Sequence, residues 1–215
     1  MDEAAVKAQV LAFIRKAGGS RQAVVTAEFT LGRSGVRADL AVLADDELIG
    51  IEIKTERDTL RRLPSQMEGY AKYFDHVVLV IAPCHLDGLS RVNLHGASVW
   101  IVDNEAITVH WIGEPNAVTA SAQIELLCAD EKRKLVANIQ PVRDKVTATF
   151  AKRYSGTSNN FWKLVRGRAI RSNDVQLLSR FRERREAIKI VERERENRWV
   201  RWRNSYSANS VDCAA

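Results

Sequence analysis

Val36-Arg-Ala-Asp-Leu-Ala-Val-Leu-Ala-Asp-Asp-Glu-Leu-Ile-Gly-Ile-Glu-Ile-Lys-Thr55 decides the fold. Its two arms are rich in aliphatic and β-branched residues in alternation, and the polar pair Asp45-Asp46 separates them, which is the pattern of a β-hairpin. Folding about Asp45-Asp46 sets Ala44 opposite Glu47 and, by the same count, Asp39 opposite Glu52. Directly opposed residues bring their Cβ atoms to roughly 4.5–5.5 Å, and like charges there are destabilising unless something compensates. A divalent cation is the obvious compensation, because hard cations prefer carboxylate oxygens. Side chains alternate along a strand, so Lys54 emerges on the face of Glu52. Two carboxylates and one lysine therefore converge. A three-residue turn would shift this pairing and leave an ordinary hairpin with solvated charges.

Such a patch suits metal-assisted phosphodiester hydrolysis. A metal there polarises the phosphate, neutralises developing charge and lowers the pKa of a bound water. The lysine orients the attacking water, helps deprotonate it, or stabilises the charge that builds on the phosphate. Downstream, Ser65 with Glu68 three residues on predicts a capping box directly after Pro64, and so a helix start. Gln66 and Tyr70 are then four apart on one helical face. Together they suit holding a water, a phosphate or the lysine, and Tyr70 equally suits packing with Tyr73 and Phe74 against the sheet. Arg57, Arg61 and Arg62 precede this helix as candidate contacts to backbone phosphates, or as a solvated basic face.

Arg37-Ala-Asp39, Ile51-Glu-Ile-Lys54, Asp58-Thr-Leu-Arg-Arg-Leu-Pro64 and Gln66-x-x-x-Tyr70 together resemble the PD-(D/E)XK nuclease superfamily, and within it the sce7726 group of bacterial and phage proteins. The resemblance covers roughly residues 20 to 102. It implies a restriction-endonuclease-like mixed α/β sheet core flanked by helices. It also implies that Asp39 and Glu52 bind Mg²⁺ or Mn²⁺, that the Ile53 carbonyl completes the inner shell, and that Lys54 is the catalytic lysine. Glu28, in Thr26-Ala-Glu-Phe-Thr30, stands where the superfamily often adds an acidic ligand. Gln66 and Tyr70 match the Gln-x-x-x-Tyr motif of exonuclease-like members. Ala38 replaces the proline of the superfamily's name. "Nuclease" comes from the wider superfamily, since the sce7726 group itself carries no assigned activity.

At 215 residues and 46% hydrophobic, the chain can bury a core. It contains no apolar run of about 18 residues, so no membrane partner is expected. The N-terminus lacks the basic start and apolar stretch of a signal peptide, so a cytoplasmic location is expected. Cys84, Cys128 and Cys213 are isolated, as are His76, His85, His95 and His110, so neither a zinc site nor a disulfide framework is supported. The net charge of +6 is uneven: residues 1–160 carry 19 Lys/Arg against 20 Asp/Glu, and residues 161–204 carry 14 against 6. Such asymmetry suggests a polyanion partner, DNA or alternatively RNA.

The pattern divides the chain into a nuclease-like core at 1–115, a basic all-helical C-terminal region at 116–206 and a tail at 207–215. Ala4–Lys16 reads as a helix stopped by Gly18-Gly19, and Gln22–Leu31 as a first strand. The hairpin adds two strands, His76–Ala82 is a buried one, and Ala97–Val102 pairs with Ile107–Ile112. Residues 85–96 read as a short helix and loop. Beyond Gly113-Glu-Pro-Asn116 the pattern is helical: one helix through Ile124, Leu127, Cys128, Leu135 and Val136, then Val142–Tyr154, a loop over Tyr154–Asn160, Phe161–Ile170 and a long helix from Val175 to about Tyr206.

That last helix carries a partial apolar stripe, Val175, Leu178, Phe181, Ile188, Val191 and Trp199, and otherwise alternates Glu with Arg, which favours ion pairing. Arg198, Trp199, Arg201 and Trp202 are candidates for stacking on bases or wedging a duplex, while a helix that packs on the core or forms a homodimer is the other reading. The sequence thus predicts a Mg²⁺-dependent deoxyribonuclease. The alternative is a catalytically silent nucleic-acid-binding module, or an interaction subunit of a DNA-processing or phage/defence complex.

Overall fold

A computed structural model describes residues 1–18, 23–103, 106–135, 141–179 and 182–209. The expected helix stop at Gly19, the strand start at Gln22, Val136 of the first C-terminal helix, Phe181 of the apolar stripe and the tail beyond Asn209 lie outside them, as does the side chain of Ile188.

The hairpin closes as the two-residue turn the register requires. Asp45 and Asp46 have φ of 47° and 62°, both left-handed, which is the type I′ geometry whose twist matches that of the flanking strands. Strand β2 (Arg37–Ala44) pairs with β3 (Glu47–Lys54) from Ala44↔Glu47 through Leu40↔Ile51. They form the inner part of a six-stranded mixed sheet, in order β1 (Val24–Thr30), β2, β3, β4 (His76–Ile81), β5 (Ser98–Asp103) and β6 (Ala106–Trp111). β3, β4 and β5 run parallel, and the other neighbours are antiparallel.

Each face of the sheet is covered, as strands buried on both sides require. On one face α1 (Glu3–Ala17) packs Val6, Val10 and Leu11 against Leu40, Ile51, Ile53, Val78 and Val80. On the other, α2 (Leu63–Tyr73) buries Leu63, Met67, Tyr70 and Tyr73 with Leu48, Val77 and Leu79. The C-terminal helices complete both layers: α4 (Ala120–Glu125), α5 (Ala129–Leu135), α6 (Val142–Leu164) and α7 (Ser172–Val175) follow a short α3 (Leu86–Leu89). Helix α6 runs past the edge of the sheet. Its Val146, Phe150 and Tyr154 belong to the α2 side and its Phe161 and Trp162 to the α1 side. Between them Ser158, fully buried, accepts the Val25 N–H at 3.0 Å, and the Trp162 indole donates to the Ala23 carbonyl at 2.8 Å.

Several expectations are corrected. Tyr154–Asn160 is helix rather than loop, because Ser158 and Thr157 use their hydroxyls on β1 and on the Tyr154 carbonyl while every third or fourth residue is buried. The single helix around Ile124–Leu135 is two: Leu126 and Leu127 turn into the core, and the Glu131 carboxylate accepts the Cys128 N–H at 2.7 Å to start α5. The long helix does not begin at Val175. Val175 and Leu178 are buried in the α1-side core, Leu178 accepts a hydrogen bond from Thr26 Oγ1 at 3.2 Å, and Ser179 bridges to Ala27 on β1. Helix α8 starts afresh at Arg182 and runs to Asn209.

The chain divides into two compact units, Met1–Ser179 and Arg180–Ala215. The first unit contains the sheet and α1–α7. The second is α8. Among the described residues no helix is long and apolar enough to cross a membrane.

Candidate functional site

The β2–β3 ladder ends at Leu40↔Ile51, one step short of Asp39 and Glu52. On the other side of β2 the ladder to β1 skips the same residue, pairing Ala27↔Leu40 and Phe29↔Ala38 around Glu28. Glu28 has a φ of 58°, a left-handed backbone that interrupts regular pairing. Asp39 therefore sits at a break in both ladders, and its backbone and carboxylate find other partners. Its N–H donates to the Tyr70 hydroxyl at 3.2 Å, and its Oδ2 accepts the Ile53 N–H at 2.8 Å.

Glu52 is buried on the α2 face and is surrounded by donors. Its Oε1 accepts from Lys54 Nζ at 2.5 Å and from Gln66 Nε2 at 2.5 Å, and its Oε2 accepts from the Tyr70 hydroxyl at 2.5 Å. The spacing of four in α2 delivers Gln66 and Tyr70 to the same carboxylate. Tyr70 is fully buried and tilts against Phe74 with ring centroids 5.4 Å apart, so it packs as well as donates. The α2 capping box does not form: the helix starts at Leu63, after a short 3₁₀ turn at Leu60–Arg62, and the Ser65 hydroxyl donates to the Arg62 carbonyl instead.

Asp39, Glu52, Lys54 and Gln66 floor an open cleft of about 1090 Å³, with Tyr70 beneath it. One wall is the β1–β2 connection and the first residue of β2, Arg37; the other is Arg62 of the 3₁₀ turn and the face of α2 with Gln66 and Lys72. Arg62 thus reaches the cleft, whereas Arg57 and Arg61 are exposed and do not line it. Glu28 is in register with Asp39 but is not among the cleft-lining residues. Among the described residues no three His, Cys, Asp or Glu side chains converge as a metal cluster; Asp39 and Glu52 are the carboxylates that the hairpin brings into the cleft.

Electrostatics bear on that pair. Burial first, and then the charge of Glu52, raise the Asp39 carboxyl from its ordinary 3.8 to about 7, against a lowering by Lys7. Burial, with Glu52 and Asp39 beside it, holds the Tyr70 phenol well above its usual value, so it stays a donor. Asp58, at the cleft's edge, behaves oppositely: burial raises its pKa, but the Thr55 N–H and hydroxyl at 2.8 and 2.7 Å outweigh that and lower it.

Two residues of the site are not evident from motif reading. Lys7 on α1 is buried, bonds Glu3 and lies 3.7 Å from Asp39 Oδ1. Its sequence signal is a lysine inside the apolar stripe Lys7, Val10, Leu11, Ile14. Glu3 lines the cleft itself. The other candidate residues lie in α8. There Trp199 and Trp202, 58% and 53% exposed, stack on each other with centroids 5.0 Å apart and planes at 22°. Arg198 and Arg201 flank them, exposed, with Arg201 Nε donating to the Asn197 carbonyl at 3.3 Å.

Fold and site together define a six-stranded mixed α/β protein whose cleft holds two carboxylates and a lysine at a break in the sheet. The chain belongs to the bacteriophage P4 protein cII family, whose sequence profile matches residues 1–179, the extent of the first compact unit. Protein cII of Enterobacteria phage P4 is 25% identical over 214 residues, covering 86% of this chain and 81% of that protein. A solved structure, the SPO1766 protein of unknown function from Silicibacter pomeroyi, is 18% identical with a TM-score of 0.44, over 68% of this chain and 84% of that one.

Proposed function

We infer that this protein is a cytoplasmic metal-dependent nuclease that hydrolyses phosphodiester bonds of DNA, with the site chemistry of the PD-(D/E)XK superfamily. The observation that carries this reading is the convergence of Asp39, Glu52 and Lys54, with Gln66 and Tyr70 on the same carboxylate, in one open cleft. The donor set suits Mg²⁺ or Mn²⁺: Asp39, Glu52 and the Ile53 carbonyl would hold the ion through oxygen, and Mg²⁺ keeps several waters while using only one or two carboxylates. Burial and, after it, the charge of Glu52 raise the Asp39 pKa, and both penalties on the ionised carboxylate are ones a bound dication would offset. When bound, the ion supplies charge neutralisation on the phosphate and an acidified water.

The chain's own residues do the rest. Asp39 and Glu52 would hold the ion. Lys54, held at Glu52 Oε1, positions the attacking water and faces the charge that develops on the phosphate. Gln66 Oε1 is buried without a hydrogen-bond partner, an acceptor available to a water in the cleft. Tyr70 fixes Glu52 against the start of β2. Arg37 and Arg62 on opposite walls supply phosphate contacts on either side of the reacting group. Arg198, Trp199, Arg201 and Trp202 give α8 a base-stacking and phosphate-binding surface, which also suits pairing with a second copy.

A catalytically silent nucleic-acid-binding module is the second reading, favoured by one observation: both Glu52 oxygens and both Asp39 oxygens already face protein donors. The deciding experiment incubates the protein and Lys54→Ala with linear and circular DNA, single- and double-stranded, in Mg²⁺, Mn²⁺ and EDTA. Cleavage that needs the metal and vanishes in Lys54→Ala is expected. Equal DNA binding by both proteins with no cleavage in any condition would transfer the assignment to the binding module.

A further inference from the structure

Lys7 has no role in the chemistry above, yet it is a buried ammonium at the edge of the acidic pair. It projects from the first turns of α1, its side chain is 7% exposed, and it meets two carboxylates, Glu3 by hydrogen bond and Asp39 Oδ1 at 3.7 Å. The other Asp39 oxygen, Oδ2, is already engaged by the Ile53 N–H at 2.8 Å. Oδ1 is therefore the oxygen left to a cation, and Lys7 faces it. Two positive charges, a dication on Oδ1 and the Lys7 ammonium, cannot share that oxygen without repulsion, since a half-buried carboxylate screens them less than bulk water does. Glu3, 54% exposed, is the carboxylate that can hold Lys7 aside.

We propose that Lys7 is the resident counter-ion of Asp39, that a divalent cation competes with it for Oδ1, and that the Glu3–Lys7–Asp39 arrangement sets the cation concentration at which the site fills. The inference rests on the metal-site reading above. It makes Lys7 a positioning residue acting through Asp39. It also accounts for the charges that face the pair when no metal is bound: Lys7 offsets part of the charge of the half-buried Asp39, and Lys54 pairs with the buried Glu52.

The test is Mg²⁺ binding by titration calorimetry at pH 8.5, without nucleic acid, on the full chain, Lys7→Met, Glu3→Gln and Asp39→Asn. Lys7→Met keeps the buried stem and removes the charge, and it should bind Mg²⁺ about tenfold more tightly or better. Glu3→Gln, at an exposed position that does not threaten folding, leaves Lys7 on Asp39 alone and should weaken binding about threefold or more. Equal or weaker affinity in Lys7→Met overturns the proposal. So does unchanged affinity in Glu3→Gln, which carries the test by itself should Lys7→Met not fold. Binding that survives Asp39→Asn undiminished overturns the metal-site reading and this proposal with it. Binding lost in Asp39→Asn but indifferent to Lys7 removes this proposal alone.

Discussion

The Tyr70 hydroxyl donates to Glu52 Oε2 at 2.5 Å, reaching it from α2 on one face of the sheet. The phenolic oxygen of Tyr70 itself accepts the Asp39 N–H at 3.2 Å, so a single phenol ties the carboxylate of β3 to the backbone of β2 where the ladder between them has ended. Tyr70→Phe keeps the ring in the core and deletes that tie. It should cost about 1–3 kcal/mol, the penalty of leaving a buried donor and acceptor without partners. Urea unfolding measures the loss, and cleavage should fall with it.

Asp39 makes stability depend on pH in a defined window. Its carboxyl titrates at about 7 in the folded chain against an ordinary 3.8. The neutral form is the one that folding favours, so the favourable contribution is complete below pH about 4, shrinks between about 4 and 7 as the unfolded chain ionises first, and is absent above. Asp39→Asn should match the wild type near pH 4 and exceed it at pH 8 by on the order of 3 kcal/mol without divalent ions. Adding Mg²⁺ at pH 8 should raise the wild-type Tm and leave that of Asp39→Asn unchanged.

Gly50 lies on β3 two residues before Glu52, under the Phe74 ring. A Cβ there would stand 2.1 Å from Phe74 Cδ2, so Gly50→Ala must push the aromatic away from the sheet. A loss of about 1–3 kcal/mol is expected, read by chemical denaturation, with near-ultraviolet circular dichroism reporting the displaced ring.

Ser158 satisfies the Val25 N–H from inside α6. Ser158→Ala leaves that amide buried and unpaired and should cost about 1–3 kcal/mol. Ser158→Thr, which retains a hydroxyl, should recover part of it if its extra methyl fits, and hydrogen exchange at the Val25 amide should separate the two variants.

A chain ending at Ser179 retains the first compact unit whole. It should unfold in one cooperative transition. It loses the 10 Lys/Arg and 6 Asp/Glu of residues 180–215 and both exposed tryptophans of α8. Under the proposed function its affinity for DNA should fall and its salt dependence flatten, as measured by fluorescence anisotropy over a range of ionic strength.

Much of this geometry is legible in the hairpin alone. Apolar alternation and a two-residue polar break are local signals, and they yield the Ala44↔Glu47 register and the meeting of Glu52 with Lys54. Gln66 and Tyr70 follow from helical spacing. What hides is what depends on distant partners. Tyr154–Asn160 carries loop composition, and only the edge of β1, some 130 residues earlier, makes Ser158 a helix residue. Leu178 fits the periodicity of a long helix as well as it fits the core it occupies. Lys7 carries no motif, and its meaning comes from the break at Asp39. The Ser65–Glu68 capping box is a true local pattern displaced because Leu63 is pulled into the core one turn earlier.

The seal that α6 and Ser179 place along β1 has a consequence for how this protein meets other chains. Val25 is bonded by Ser158 and Ala27 is bridged by Ser179, whereas among the described residues β6 pairs with β5 alone. A foreign strand that met β1 between Val25 and Ala27, whether from a partner or from a misfolded neighbour, would find those backbone positions already taken by the chain itself, whereas β6, beside Val109 and Trp111, has no second strand among the described residues.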